Sequence, residues 1–94
     1  MVEYLYNAIR ATAGSDATIM AHITDNESEI TSGCGFMLHL DDSKVIMFDG
    51  TYGEDGFWYF TIPAETSKDL KGRYWYCFCQ DNATLCFKQP IYFI

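Results

Sequence analysis

Apolar and polar residues alternate one for one along most of this chain, and a period of two predicts strands rather than helices. From Ala17 to Ile23, Ile19, Ala21 and Ile23 alternate with Thr18, Met20 and His22; farther on, Phe36, Leu38 and Leu40 alternate with Met37 and His39. Both stretches read as half-buried strands. Val45 to Phe48 is a short apolar run closed by Asp49-Gly50, and Phe57 to Ile62 is an aromatic strand with Trp58, Phe60 and Ile62 on one face. Pro63 ends that strand, because proline cannot donate to a ladder. Arg73 to Cys79 sets Tyr74, Tyr76 and Phe78 on one side and Trp75, Cys77 and Cys79 on the other. The last run, Leu85 to Ile94, is interrupted at Pro90, so its final residues are expected as an edge strand or a strand resuming after a kink.

Turn formers separate these runs: Gly14-Ser15-Asp16, Asp25-Asn26, Ser32-Gly33, Asp41-Asp42-Ser43, Gly53 to Gly56 and Gln80-Asp81-Asn82. Helix is expected only within Ala64 to Leu70, for about one turn, with Thr66 or Ser67 as its cap. About seven short strands at spacings near ten residues predict an all-β chain, folded as an immunoglobulin-like antiparallel β-sandwich. No repeat or linker divides it, so residues 1–94 are expected as one domain, with 1–11 as a candidate strand or arm at its edge.

Leu70-Lys71-Gly72-Arg73-Tyr74-Trp75-Tyr76 carries a more specific signal. A leucine and a glycine ahead of tyrosines two apart is the arrangement of a tyrosine corner, in which a core tyrosine turns its hydroxyl back to upstream backbone. Leu70, Gly72, Tyr74 and Tyr76 are its candidate residues.

Composition narrows function. The chain is 49% hydrophobic and 17% aromatic, well outside the composition of disordered chains. Its net charge of −7, from 13 acids against 6 bases, argues against binding nucleic acid, whose phosphates need lysine and arginine. No run reaches the roughly 18 apolar residues of a membrane helix, and Met1 to Arg10 lacks the pattern of a signal peptide, so neither membrane contact nor secretion is expected. Cys34, Cys77, Cys79 and Cys86 are accordingly expected as reduced thiols, and their spacing is not that of a zinc site. Asp49, Thr51, Glu54 and Asp55 read as a solvated hairpin turn, since they lack calcium-loop spacing. No metal or cofactor is expected. His22 and His39 fall on outward strand faces with no nucleophile predicted beside them, so no catalytic residue is assigned.

Large side chains outnumber the places a small core offers. With Trp58, Phe60, Tyr74, Tyr76, Phe78 and Phe93 turned inward, Tyr59, Trp75, Phe87 and Tyr92 are left on the opposite faces of their strands. Aromatic residues concentrate at the centres of protein interfaces. Together with Ile94 at the apolar end Ile91-Tyr92-Phe93-Ile94, they are the candidate interface residues.

The order of these pieces resembles the small immunoglobulin-like domains of tailed-phage structural proteins, above all the N-terminal domain of the baseplate upper protein family. The resemblance rests on Gly14-Ser15-Asp16, Gly35 to Leu40, Gly56 to Ile62, Leu70 to Tyr76 and Ile91 to Ile94, and it covers residues 12–94. It implies a non-enzymatic component of a tail, baseplate, fibre or decorated capsid, made in the bacterial host cytoplasm and located in the virion. Its partners would be other virion proteins or copies of itself, in a homo-oligomer or larger assembly. The acidity supports a competing expectation, a small inhibitor of a host nuclease or defence protein that mimics nucleic acid.

Overall fold

The computed structural model describes residues 2–5, 8–25, 27–81, 83–85 and 88–94. Their strands are β1 (Val2–Leu5), β2 (Ala8–Ala11), β3 (Ala17–Ala21), β4 (Thr24–Asp25), β5 (Ser28–Glu29), β6 (Cys34–His39), β7 (Val45–Asp49), β8 (Thr51–Tyr52), β9 (Trp58–Ile62), β10 (Gly72–Gln80), β11 (Ala83–Thr84) and β12 (Gln89–Phe93); the helix α1 is Ala64–Ser67. The structure is thus mostly β. Cys86 and Phe87, with the turn residues Asn26 and Asn82, lie outside the described residues.

The strands form two main sheets. The larger runs β1-β2-β12-β10-β6-β7, with β11 also on β10; the smaller runs β3-β9-β8; β4 and β5 make a separate hairpin. All pairs are antiparallel except β12 with β2, which runs parallel through Ile91↔Ile9 and Phe93↔Ala11. That pair corrects the expectation of purely antiparallel sheets, and short strands such as β4, β5, β8 and β11 carry the number beyond about seven.

Pro90 misleads about the chain's end. β12 is not an edge strand, for β10 lies on one side of it and β2 on the other. Proline is tolerated there because pairing with β2 begins at Ile91, one residue later. The edges of the larger sheet are β1 and β7.

The inner faces of the two sheets meet through aromatic rings. Phe36 of β6 stacks on Tyr76 at 5.2 Å and touches Phe48, Phe60 and Phe78 at centroid separations of 5.7 to 6.3 Å. Phe60 of β9 thereby joins the smaller sheet to the larger, and Ile19, Ile62, Leu38, Ile91 and Phe93 fill the space around them, all fully buried. Burial of this kind contributes about 1.5–3 kcal/mol for each large side chain. The Trp58 indole N–H donates to the Ile30 carbonyl at 2.7 Å, fastening the chain after β5 to the core.

Between β7 and β8 the chain passes from one sheet to the other at Gly50. Its amide donates to the Cys34 carbonyl at 3.2 Å, and a Cβ there would collide with the Phe60 ring and stand 2.7 Å from the Trp58 ring. Backbone and ring approach so closely that only glycine fits.

Helix α1 is capped from a distance. Pro63 occupies the N-cap and gives no side-chain bond; instead Asp16 Oδ1 accepts the Ala64 amide at 2.8 Å. Ser67 is no cap but a buried anchor whose Oγ accepts the Gly14 amide at 3.0 Å. Neither it nor Thr66 fills the expected role, because the partners come from the turn at residues 14–16, some fifty positions earlier.

Candidate interaction face

Residues directly opposite in a ladder point to the same side of a sheet, so register defines a face. On the outer side of the larger sheet, Trp75 of β10 stands opposite Pro90 on one side and His39 on the other, and His39 stands opposite Val45 of β7. The next row is Cys77, Met37 and Met47, followed by Cys79, Gly35 and Asp49. In the other direction lies Arg73, Tyr92, Arg10 and Glu3. The outcome is a broad apolar and sulfur-bearing surface with cations along one margin.

Several of its members remain open to solvent. Trp75 is 38% exposed, Val45 43% and Met47 42%. The Arg73 guanidinium lies over the Trp75 ring, 5.1 Å from its centroid, a cation–π contact. The acids of this face are Glu3, held by Arg10 at 2.7 Å, and Asp49 at one end.

β7 exposes backbone as well as side chains. The Leu40 amide donates to the Lys44 carbonyl and the Gly50 amide to the Cys34 carbonyl. In the alternation of an antiparallel ladder these bonds turn the polar groups of Lys44, Ile46, Phe48 and Gly50 toward β6 and those of Val45, Met47 and Asp49 outward. A five-residue edge without proline can accept a partner strand.

The candidate interface residues divide. Trp75 and Tyr92 occupy diagonal positions on this one face. Tyr59 does not join them: it sits on β9, opposite Met20 and Thr51, on the outer side of the smaller sheet, and its hydroxyl donates to Asp55. Ile94 follows β12, 62% exposed, beside a groove of about 660 Å³ that Ala13, Leu70 and Phe93 also line. Phe87 is outside the described residues.

At the start of β10 the hydroxyl that meets upstream backbone is that of Tyr74, which accepts the Lys71 amide at 3.3 Å while its ring sits edge-on to Phe93 at 6.0 Å. Gly72 has φ +92°, a conformation that penalises a side chain, and Leu70 packs against the core. Tyr76 is buried on Phe36.

Two contacts were not foreseen from spacing. His22 Nε2 lies 3.0 Å from Glu29 Oε1 at the surface. More consequentially, His39 Nε2 lies 3.4 Å from Cys77 Sγ, which corrects the expectation that no nucleophile stands by a base. Burial first, and then the Lys88 ammonium, hold His39 below the usual imidazole value, so the ring is neutral at pH 7. Cys34, Cys77 and Cys79 are thiols rather than disulfide halves. Burial raises Cys34 and Cys79 above the ordinary thiol value, so both are protonated. Spacing hid the His39–Cys77 pair because it depends on the register of two strands 38 positions apart.

Comparison with protein-family models, with curated proteins and with solved structures returned no match.

Proposed function

We propose that the chain is an immunoglobulin-like β-sandwich module that works by protein–protein contact, as a non-enzymatic assembly component of a phage or prophage particle. The observation that carries the contact reading is the outer face of the larger sheet, where Trp75, Val45 and Met47 are exposed together beside Tyr92 and Arg73. Exposed tryptophan with arginine stacked on it is the composition of an interface centre.

Strand order supports the immunoglobulin-like part. β3, β9 and β8 correspond to strands B, E and D, and β6, β7, β10 and β12 to C, C′, F and G of a variable-type domain, with α1 in the E–F connection. Tyr74 near the start of β10, bonded to Lys71, stands where a tyrosine corner belongs. The phage placement rests on the motif order alone. The inhibitor reading rests on the net charge of −7 alone.

Light scattering after size exclusion tests the contact reading. The chain alone, or mixed with virion proteins, should form a complex that Trp75→Ala and Val45→Lys weaken, each by about tenfold or more in Kd, as loss of an interface hot spot does. Thr61→Lys, on the outer side of the smaller sheet, should leave it intact. A strictly monomeric chain that binds no virion component would overturn the proposal.

A further inference from the structure

The middle of the same face holds a set of donor atoms that protein contact does not require. Cys77 Sγ lies 3.4 Å from His39 Nε2 and 3.8 Å from Met37 Sδ, and in the next row of the same face Cys79 Sγ lies 3.5 Å from Met47 Sδ. Register produces this grouping: Cys77, Met37 and Met47 stand in one row across β10, β6 and β7, and Gly35 in the next row leaves the space into which Cys79 and Met47 lean, each 3.0 Å from where a Cβ would be.

We infer that His39, Cys77 and Met37 form a binding site for a soft monovalent metal ion of the copper(I) or silver(I) class, with Cys79 and Met47 as a second pair of sulfur donors beside it. Metal–sulfur and metal–nitrogen bonds of about 2.3 and 2.0 Å place the donors of a trigonal centre roughly 3.5–4 Å apart. The Cys77–Met37 separation of 3.8 Å has that size, and the His39–Cys77 separation of 3.4 Å falls just short of it.

The donor set selects the class of ion. Among the described residues no three His, Cys, Asp or Glu side chains gather as a hard or borderline ion such as zinc would need. Thioethers are poor ligands for such ions, whereas thiolate and thioether together favour soft ones. Binding releases one proton: the Cys77 S–H bond breaks, sulfur bonds the metal, and the proton leaves to solvent with no change of oxidation state. His39 would donate the Nε2 lone pair with its own proton on Nδ1.

A nucleophilic role for the pair fits less well. Cys77 is 1% exposed, too deeply buried for a substrate carbonyl to reach its sulfur. An ion can enter past the half-open Met47 where a substrate carbonyl cannot.

The four methionines supply the test. The protein, carrying ¹³C-labelled methionine methyl groups, is titrated anaerobically with silver(I) nitrate and with the copper(I)–acetonitrile complex, and Met20 on the other sheet serves as an internal reference. The Met37 resonance should move and saturate at the first equivalent while Met20 stays still. Cys77→Ser should weaken that equivalent by at least about tenfold in competition with a copper(I) chelator, and Met37→Leu, a volume-conserving change that keeps the fold, should weaken it by a similar factor. Met20 and Met37 moving together, Met47 responding while Met37 does not, or full affinity in Met37→Leu would overturn the site. Because the readout is metal binding by the isolated chain, the interaction reading stands or falls separately.

Discussion

The outer faces of the two sheets lie on one compact scaffold and differ in kind. On the smaller sheet the outward positions are Thr18, Met20, Tyr59, Thr61 and Thr51; Thr18 and Thr61 share a hydroxyl contact at 3.2 Å, and Tyr59 turns its hydroxyl to Asp55. That surface gives water a row of hydroxyls. On the larger sheet the same kind of position carries Trp75, His39, Val45, Cys77, Met37 and Met47, with Arg73 and Tyr92 at the margin. Strands of both sheets turn one side to the shared core, so alternation in the sequence alone does not distinguish a solvated face from a docking one. Side-chain chemistry does: β-branched hydroxyls suit a face that stays wet, whereas indole, thioether and thiol gain little from water.

The largest effect is expected where the two sheets are joined. Gly50→Ala would drive a methyl group into the Phe60 and Trp58 rings at the crossover, and overpacking of a dense core costs about 1–3 kcal/mol. Denaturant unfolding should show a lower midpoint with an unchanged slope. Both outer faces depend on this apposition, so a complex formed through Trp75 should weaken along with the fold. An unchanged midpoint would mean that the sheets yield easily here, and the contrast between the faces would lose its rigid support.

Tyr74→Phe comes next and should separate the inner side of β10 from its outer side. The hydroxyl accepts one rather long bond from Lys71, so its loss should cost about 0.5–1.5 kcal/mol by thermal or denaturant unfolding. Binding through Trp75, the next residue but on the opposite side of the strand, should be unaffected. Loss of binding without loss of stability would show that the two sides of β10 are not independent.

Much of this contrast can be read from the chain and part of it cannot. Alternation in 17–23, 36–40, 58–62 and 73–79 suffices to separate inward from outward residues, because each strand buries one face against the same core. Which outward residues meet is another matter. Trp75 reaches His39, and Cys77 reaches Met37, only through the β10–β6 register, which turn lengths and distant pairings set. The parallel seat of β12 against β2 is hidden for a related reason: Ala8-Ile9-Arg10-Ala11 is too short to announce a strand, and Pro90 argues for an edge until a second neighbour is present. Ser67 and Asp16 likewise act through partners far away in sequence, where local capping rules do not reach.

The smallest expected effect bears most directly on the wet face. Tyr59, first among the causes, and then the Phe57 amide hold the Asp55 carboxyl below its usual range. A carboxyl depressed in the folded state adds stability that is fully present above its unfolded pKa, near 3.9, and is lost as pH falls through the lower folded value. Asp55 lies at the surface, so this pH-dependent increment is screened and slight. Tyr59→Phe removes the hydroxyl but keeps the ring. The Asp55 carboxyl, followed by its ¹³C shift, should then titrate at a higher pH, closer to an ordinary aspartate, while the Phe57 amide still holds it somewhat below. Above pH 5 the variant should unfold at nearly the wild-type midpoint and associate as the wild type does. Tyr59 belongs to the interface only if Tyr59→Phe weakens association as Trp75→Ala does, and that result would place the contact surface on both sheets instead of one.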